Sequence, residues 1–464
     1  MATEVKRKFK FPSSILMLFF LIVFVMLLTY IIPAGQFNQI VNEAGIKSVD
    51  PESFHFIDRT PVNPFRMFVA IQKGFISGAS IIFLIVFGYF WVFSIVGSGA
   101  VGAAISKLLR SKAKDSKLFI PIVFLVFAIA GSTYGEFETV YGLIPIFIAL
   151  CIAMGYDAIV GLSVCFVGVA TGFASATTNP FTIGIAQSYA DLPIFSGLLF
   201  RWIVFFSFCA VAIAYIMRYA SRVKKNPKLS VVYDEDFSSF RVDTTDVGEF
   251  TLTHKILLLG MVVTIGVIVY GSLKLGWWIA EMSGVFLISG IVSQIIARKK
   301  LEDIGKSLVT ACSEMSIAII VVGLSRTIIE ILTAGNIIDT IIWSLFQPMK
   351  AAPKWIIGIL MLVAQNIINF FIPSGSGQAA AIMPIMVPLS DLTGINRQIA
   401  VLAYQFGDGY SNMLWPTSGI VIACGIAKIP MGKWYKFFLK LFGVIFILQC
   451  IFIIIAVLTN YGPF

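Results

Sequence analysis

Residues 159–185 are apolar over a length that spans a lipid bilayer, yet residues 172–181 inside that run read GFASATTNPF, with three hydroxyls, an amide and a proline. In hydrocarbon every backbone N–H and C=O must find a partner within the protein. A non-helical stretch at that depth therefore persists only against other protein or beside a water-filled cavity. A second apolar run, 399–426, is interrupted in the same way by GDGYSNMLWPTSG at 407–419. Two such breaks demand a structure that shelters them.

The rest of the chain agrees with a bilayer environment. Of 464 residues, 58% are hydrophobic and only 12% charged, which is outside the range of soluble proteins. Runs of spanning length cover 11–32, 81–96, 159–185, 199–219, 256–270, 277–296, 317–332, 399–426 and 437–458, giving nine expected crossings. The first follows KRKFK and lacks a small-residue cleavage site, so it reads as an uncleaved span. The six cysteines lie in apolar segments with no CxxC spacing and read as small hydrophobes. The net charge of +10 comes from basic clusters between spans, which the positive-inside rule explains without nucleic acid. These are Lys107, Arg110, Lys112, Lys114 and Lys117; Arg218, Arg222, Lys224, Lys225 and Lys228; Arg298, Lys299, Lys300 and Lys306; and Lys428, Lys433, Lys436 and Lys440. A cytoplasmic N-terminus puts all four clusters on the cytoplasmic side of a cell inner (plasma) membrane, with the C-terminus outside.

Segments 118–130 and 140–154, and likewise 355–372 and 379–389, surround GSTYGEFE and PSGSGQ and read as re-entrant helical hairpins. The argument is their shortness: a 13-residue helix covers about 20 Å of a core roughly 30 Å thick. A pair of full spans returns the chain to the same side, so the count of crossings does not separate the two readings. The loop at 34–64 is either a small ordered cap or an unstructured loop, and 222–252 is a cytoplasmic linker.

Self-comparison shows an internal repeat. Pro145 aligns with Pro384, Gly155 with Gly394, Pro180 with Pro416, Pro193 with Pro430 and Gly99 with Gly335. The expected organisation is a first repeat over 1–221, with a hairpin near 118–154 and a broken helix near 158–190. The linker 222–252 and a connecting span at 253–275 follow. The second repeat, 276–464, has its hairpin near 355–391 and its broken helix near 395–428. The additional span starts the second unit from the opposite side, so the repeats are related by inversion, an arrangement that characterises secondary transporters. The expected fold class is an all-α membrane protein of two inverted repeats, each with a re-entrant hairpin and a broken helix.

The breaks suggest their own chemistry. Pro180 suits the first position of a half-helix, with Asn179 or Thr178 as cap and the positive dipole end aimed at the gap. Freed carbonyls near Gly172 to Ala174 are candidates for a cation. In the second break Gly407 and Gly409 are expected to loosen the helix, Ser411 and Asn412 to supply ligands, and Pro416 to restart it. Thr133 to Glu136 also fits a capping box with no functional role. Asp408, between two glycines in an apolar run, is a functional candidate by default. Arg326 and Glu330, four apart, are expected to pair with each other, while Glu281 and Glu314 fit positions near the interfaces. Acids outnumber bases in the spans, which favours a cationic or zwitterionic substrate, or coupling to a cation or proton.

The segments FPSSILMLFFLIVFVMLLTYIIPAGQF, GFASATTNPFTIGIAQ, IPSGSGQAAAIMPIMVPLSDLTGINRQIAVLAYQFGDGYSN and WPTSG resemble the YfcC-like branch of the four-carbon dicarboxylate anaerobic carrier family. The resemblance implies an elevator-type transporter of the ion transporter superfamily, working as a homodimer. It also implies that the hairpin tips and broken helices form the site. The substrate-binding candidates are Ser132, Thr133, Glu136, Thr177, Thr178, Asn179, Ser374, Ser376, Gln378, Asp408, Ser411, Asn412 and Thr417. Gly172, Ala174, Ser175, Gly407, Gly409 and Glu138 are the coupling-ion candidates, for sodium or a proton; no other cofactor is expected. The expected function is secondary active transport of a small charged solute. The first choice is an amino acid, with basic amino acid exchange implied by the resemblance; the alternative is a four-carbon dicarboxylate. A channel or membrane enzyme is the remote alternative: the chain has only His55 and His254, no HExxH, and no second intramembrane aspartate beside Asp408.

Overall fold

The computed structural model describes residues 14–41, 47–50, 52–110, 118–133, 135, 137–241 and 250–462. Glu136, the basic arm that precedes the first span, and Lys112, Lys114 and Lys117 lie outside the described residues. Long apolar runs become helices because a helix satisfies its backbone internally, the solution hydrocarbon leaves to a single segment. Seven are long and apolar enough to cross a membrane. They are α3 (Ala79–Val96), α10 (Leu198–Lys225), α11 (Leu252–Leu275), α12 (Ile279–Ile296), α14 (Ser316–Ala334), α16 (Lys354–Phe371) and α20 (Met431–Leu458). α1 (Ser14–Ile31) falls just short of that class. The protein is a multi-pass helical membrane protein.

The two interrupted runs are in pieces. The first comprises α7 (Ala158–Leu162), a π-helical turn (Ser163–Val167), α8 (Gly168–Ala174), a second π-helical turn (Pro180–Gly184) and α9 (Ile185–Tyr189). The second comprises α18 (Arg397–Ser411) and α19 (Gly419–Ile426). Beside them lie α5 (Phe119–Thr133) with α6 (Val140–Ala153), and α16 with α17 (Gly375–Thr393). Shortness does not mark α16 as a hairpin arm, since its 18 residues span about 27 Å.

Elements far apart in the chain pack on one another. α1 lies on α14 and α12 on α3; α2 (Pro64–Ser77) lies on α14 and α13 (Leu301–Glu314) on α3. α5 packs along α8 as α16 packs along α18, while α6 meets α19 and α17 meets α9. The α5–α8 crossing is close enough to require glycine on both sides. A Cβ on Gly172 would sit 1.8 Å from the Ala128 carbonyl oxygen, and one on Gly131 2.2 Å from that of Val169.

The 34–64 loop is an ordered cap over its described part. β1 (Gly35–Gln36) pairs with β4 (His55–Phe56) and β2 (Gln39–Val41) with β3 (Lys47–Val49), both antiparallel. The Phe37 N–H donates to Asp339 at 3.1 Å and Phe54 stacks on Trp343 at 4.7 Å, which fixes the cap to α15 (Ile338–Phe346).

The linker is tied down over 226–241. Asp157 caps α7 through the Val160 N–H and also accepts from Tyr219 and Ser230, each hydroxyl at 2.6 Å. Lys433 binds Asp234, and Lys428 reaches both Ser239 and Glu314. Glu281 caps α12 by accepting from the Trp278 N–H at 2.9 Å.

Two outcomes follow. Gly172→Val should destabilise the detergent-solubilised protein by about 1–3 kcal/mol through overpacking, read as a lowered thermal unfolding midpoint. The Lys433 ammonium, with a backbone N–H, holds the exposed Asp234 carboxyl below the usual carboxylate range. Its folded value being depressed, the attachment is complete above the ordinary aspartate range of about 4 and is lost as pH falls beneath it. Protection against hydrogen exchange over 226–241, taken relative to the intrinsic rate at each pH, should fall on acidification, and Lys433→Ala should lessen that pH dependence.

Candidate functional site

The two breaks are closed by the elements beside them. At the first, Pro180 takes the first helical position and the Asn179 carbonyl oxygen of the side chain accepts the Phe181 N–H at 2.9 Å. The freed N–H groups of Thr177 and Thr178 donate to the Ser132 carbonyl at 3.0 and 3.2 Å. Ser132 Oγ lies 3.0 Å from Thr177 Oγ1, and Thr178 Oγ1 donates to the Thr133 carbonyl at 3.2 Å. The tip of α5 is thus bonded edge to edge to the break, which is why the polar run holds serine and threonine.

One expectation is corrected here. Thr133 does not open a capping box: it ends α5, and its hydroxyl donates back to the Ile129 carbonyl at 2.7 Å. Among the carbonyls upstream of the break, Gly172 O accepts the Ser175 N–H at 3.1 Å and Phe173 O accepts Gln405 Nε2 at 2.6 Å.

The second break differs from the sequence expectation too. α18 continues unbroken through Gly407 and Gly409 to Ser411. Both glycines admit close neighbours: a Cβ on Gly407 would lie 2.3 Å from the Gln365 side chain, and one on Gly409 2.3 Å from the Ala174 Cα. They loosen nothing, because the helix ladder supplies their backbone partners. The helix restarts at Gly419, three residues beyond Pro416, which lies in the intervening turn. Asn369 of α16 closes this break, donating to the Asp408 carbonyl at 2.9 Å, Ser411 Oγ at 2.6 Å and Asn412 Oδ1 at 3.1 Å.

Between the breaks lies a cavity of about 230 Å³. That is below the roughly 300–1,000 Å³ of drug-sized pockets and suits a small metabolite. Both hairpins and both breaks reach it: Gly135 and Glu138 from the α5–α6 connection, Ser374, Gly375 and Ser376 from the start of α17, Phe181 and Thr182 after the first break, and Asn412, Thr417 and Ser418 in the second. α14 contributes Ser325 and Arg326. Phe181 and Trp278, with ring centroids 4.8 Å apart, join the first break to the start of α12 at its wall. Arg326 makes no ion pair with Glu330 among the described residues. It lines the cavity, as does Glu138 from the α5–α6 connection, so an acid and a base on different elements border one space.

Of the expected substrate-binding side chains, Ser374, Ser376, Asn412 and Thr417 line this cavity. Ser132, Thr133, Thr177, Thr178, Asn179, Gln378, Asp408 and Ser411 do not; most of them hold the breaks and tips together. Among the coupling-ion candidates Glu138 lines it, whereas Gly172, Ala174, Ser175, Gly407 and Gly409 lie behind it. Sequence reasoning missed Gln365, Asn366 and Asn369, although three amides within two helical turns of an apolar span were a readable signal.

Such a cavity, lined by interrupted helices in a multi-pass protein, defines a class: membrane transporters of small solutes. The family model for the C4-dicarboxylate anaerobic carrier, DcuC, matches residues 11–458, and the chain belongs to that family. It is 30% identical over 498 residues, 98% of each chain, to "Putative basic amino acid antiporter YfcC" of Escherichia coli (strain K12). It is 26% identical over 505 residues to an uncharacterized protein of Haemophilus influenzae, covering 98% of this chain and 99% of that one. Among solved structures, MtrF of Neisseria gonorrhoeae, described within a class of antimetabolite efflux pumps, is 17% identical with a TM-score of 0.44, over 97% of this chain and 96% of that one. The YdaH transporter of Alcanivorax borkumensis is 12% identical with a TM-score of 0.43, over 97% and 100%. The protein is a transporter and not an enzyme.

Asn369→Leu should leave buried partners of three hydrogen bonds unmatched and cost about 1–3 kcal/mol, read as a lower unfolding midpoint. Ser390→Ala, remote from the breaks, serves as the control.

Proposed function

We propose that this protein is a secondary active transporter that moves a small amino acid across the cell inner membrane by alternating access, with exchange as its basic mode. The observation that carries the reading is the cavity where Glu138 and Arg326 face one space from different elements. An α-amino acid presents a cation and an anion on one carbon, and paired opposite charges recognise both. The N-termini of α17 and α19 also open on the cavity at Ser374 to Ser376 and at Ser418, adding positive dipole ends for the carboxylate. The name of the YfcC relative supports basic amino acid exchange. A four-carbon dicarboxylate is the second reading, favoured by the family's description and by Arg326.

The two halves, 1–221 and 276–464, act in this reading as inverted repeats, with α11 reversing the second. Reciprocal packing of α1 on α14 and α12 on α3 supports it. The N-terminus is cytoplasmic and the C-terminus outside, which places the Lys428 and Lys433 contacts with the linker in the cytoplasm.

Labelled arginine, ornithine and succinate offered to proteoliposomes loaded with each solute decide the substrate. Glu138→Gln should raise the KM for arginine at least tenfold and spare any dicarboxylate exchange, while Arg326→Gln should weaken both. Succinate exchange surviving Glu138→Gln, with no arginine exchange in the unmodified protein, would overturn the amino acid reading.

A further inference from the structure

Asp408 is a buried carboxylate that the cavity does not explain. It is fully buried in α18, and neither side-chain oxygen has a hydrogen-bond partner among the described residues. Its surroundings are specific. A Cβ on Gly375, at the start of α17, would meet Asp408 Oδ2 at 3.2 Å, Thr182 Cγ2 at 2.7 Å and Phe173 Cζ at 3.2 Å. Gly375 and Thr182 also line the cavity, so the carboxyl lies directly behind the tip of the second hairpin. The Tyr404 hydroxyl donates to the Gly375 carbonyl at 2.6 Å, which holds that tip over the carboxyl.

The charged and titratable groups around it are few. No salt bridge reaches Asp408 among the described residues. α16 presents Asn369, which donates to the Asp408 backbone carbonyl, while Gly375 of α17, Phe173 of α8 and Thr182 after the first break meet near Oδ2. Tyr404 is the phenol within electrostatic reach, and the Tyr410 ring instead packs among Phe208 and Phe438. Neither carboxylate oxygen accepts a hydrogen bond among the described residues, and an ionised carboxylate buried unpaired is costly. The point where a Gly375 Cβ would sit, 3.2 Å from Oδ2, is bounded by the Thr182 methyl and the Phe173 ring. A proton needs one oxygen and no further ligand shell.

We propose that Asp408 is a proton-binding site of the transport cycle, loaded through the Gly375–Thr182 crevice from the solute cavity and closed off when the second hairpin tip seats against α18. The proposal rests on the transporter reading and extends it by assigning the coupling ion and its carrier. On loading, a proton from solvent adds to one carboxylate oxygen; on release the same O–H bond breaks and the proton leaves to solvent on the other side. Solute and proton sites are then distinct neighbours, Glu138 and Arg326 on one side of the tip and Asp408 on the other. Thr182, whose hydroxyl is buried without a partner among the described residues, lies at the boundary.

The test has two arms on purified full-length protein. In proteoliposomes, net arginine uptake driven by an imposed pH gradient, and the accompanying proton entry read by an enclosed pH dye, should fall at least tenfold in Asp408→Asn. Arginine-for-arginine exchange should stay within about threefold of the unmodified protein. Infrared difference spectra against pH should show a carboxyl C=O band that titrates in the unmodified protein and disappears in Asp408→Asn. Gradient-driven uptake that survives Asp408→Asn overturns the proposal, as does uptake driven by sodium alone or loss of exchange in a monodisperse variant. The infrared arm needs no solute: a titrating Asp408 band with no arginine transport sinks the substrate reading and sustains the proton site, whereas its absence overturns the proton site. Gly375→Ala, which crowds Oδ2, should shift the pH dependence of gradient-driven uptake and leave the infrared band in place.

Discussion

Everything in this protein depends on how peptide groups freed from a helix are satisfied inside a low-dielectric layer. A single unpaired backbone group there costs several kcal/mol, so each interruption must be matched donor for acceptor. At the first break the matching is by main chain and hydroxyl, with Ser132 and Thr133 accepting from Thr177 and Thr178. At the second it is by amide side chain, with Asn369 reaching Asp408, Ser411 and Asn412. The two halves solve one problem with different residues.

This division of labour explains why most of the polar residues are not in the cavity wall. Once hydroxyls and amides are committed to the backbone, they are unavailable to a solute. The cavity is lined instead by Glu138 and Arg326 and by the first turns of α17 and α19. Close glycine contacts work to the same end. Gly172 against Ala128 and Gly409 against Ala174 draw α5, α8 and α18 together, so the breaks lie within reach of their partners.

The attachments at the two ends of the molecule have a different character. The cap binds α15 through Asp339 and the Phe54–Trp343 stack. The linker binds through Asp157, Asp234 and Ser239, the Lys433–Asp234 ion pair being exposed and therefore weak. Buried amide networks hold the middle, whereas an aromatic stack, capping carboxylates and exposed ion pairs hold the ends.

Apolar run lengths, polar interruptions and the aligned prolines were enough by themselves to determine a multi-pass helical protein with two broken segments, and to bring Asn179 and Pro180 to the start of a half-helix. Those are local properties, set by hydrophobic period, cap chemistry and the missing N–H of proline. The tertiary structure decided where the polar groups were spent. Gly407 and Gly409 look like helix looseners in one dimension but are contact points in three, because Gln365 and Ala174 arrive from other helices. Arg326 and Glu330 look like a pair four residues apart, yet Arg326 turns to the cavity shared with Glu138, nearly two hundred residues away in the chain. Spacing along one helix reports which side chains could meet; only packing between helices sets which meeting lowers the cost of burial most.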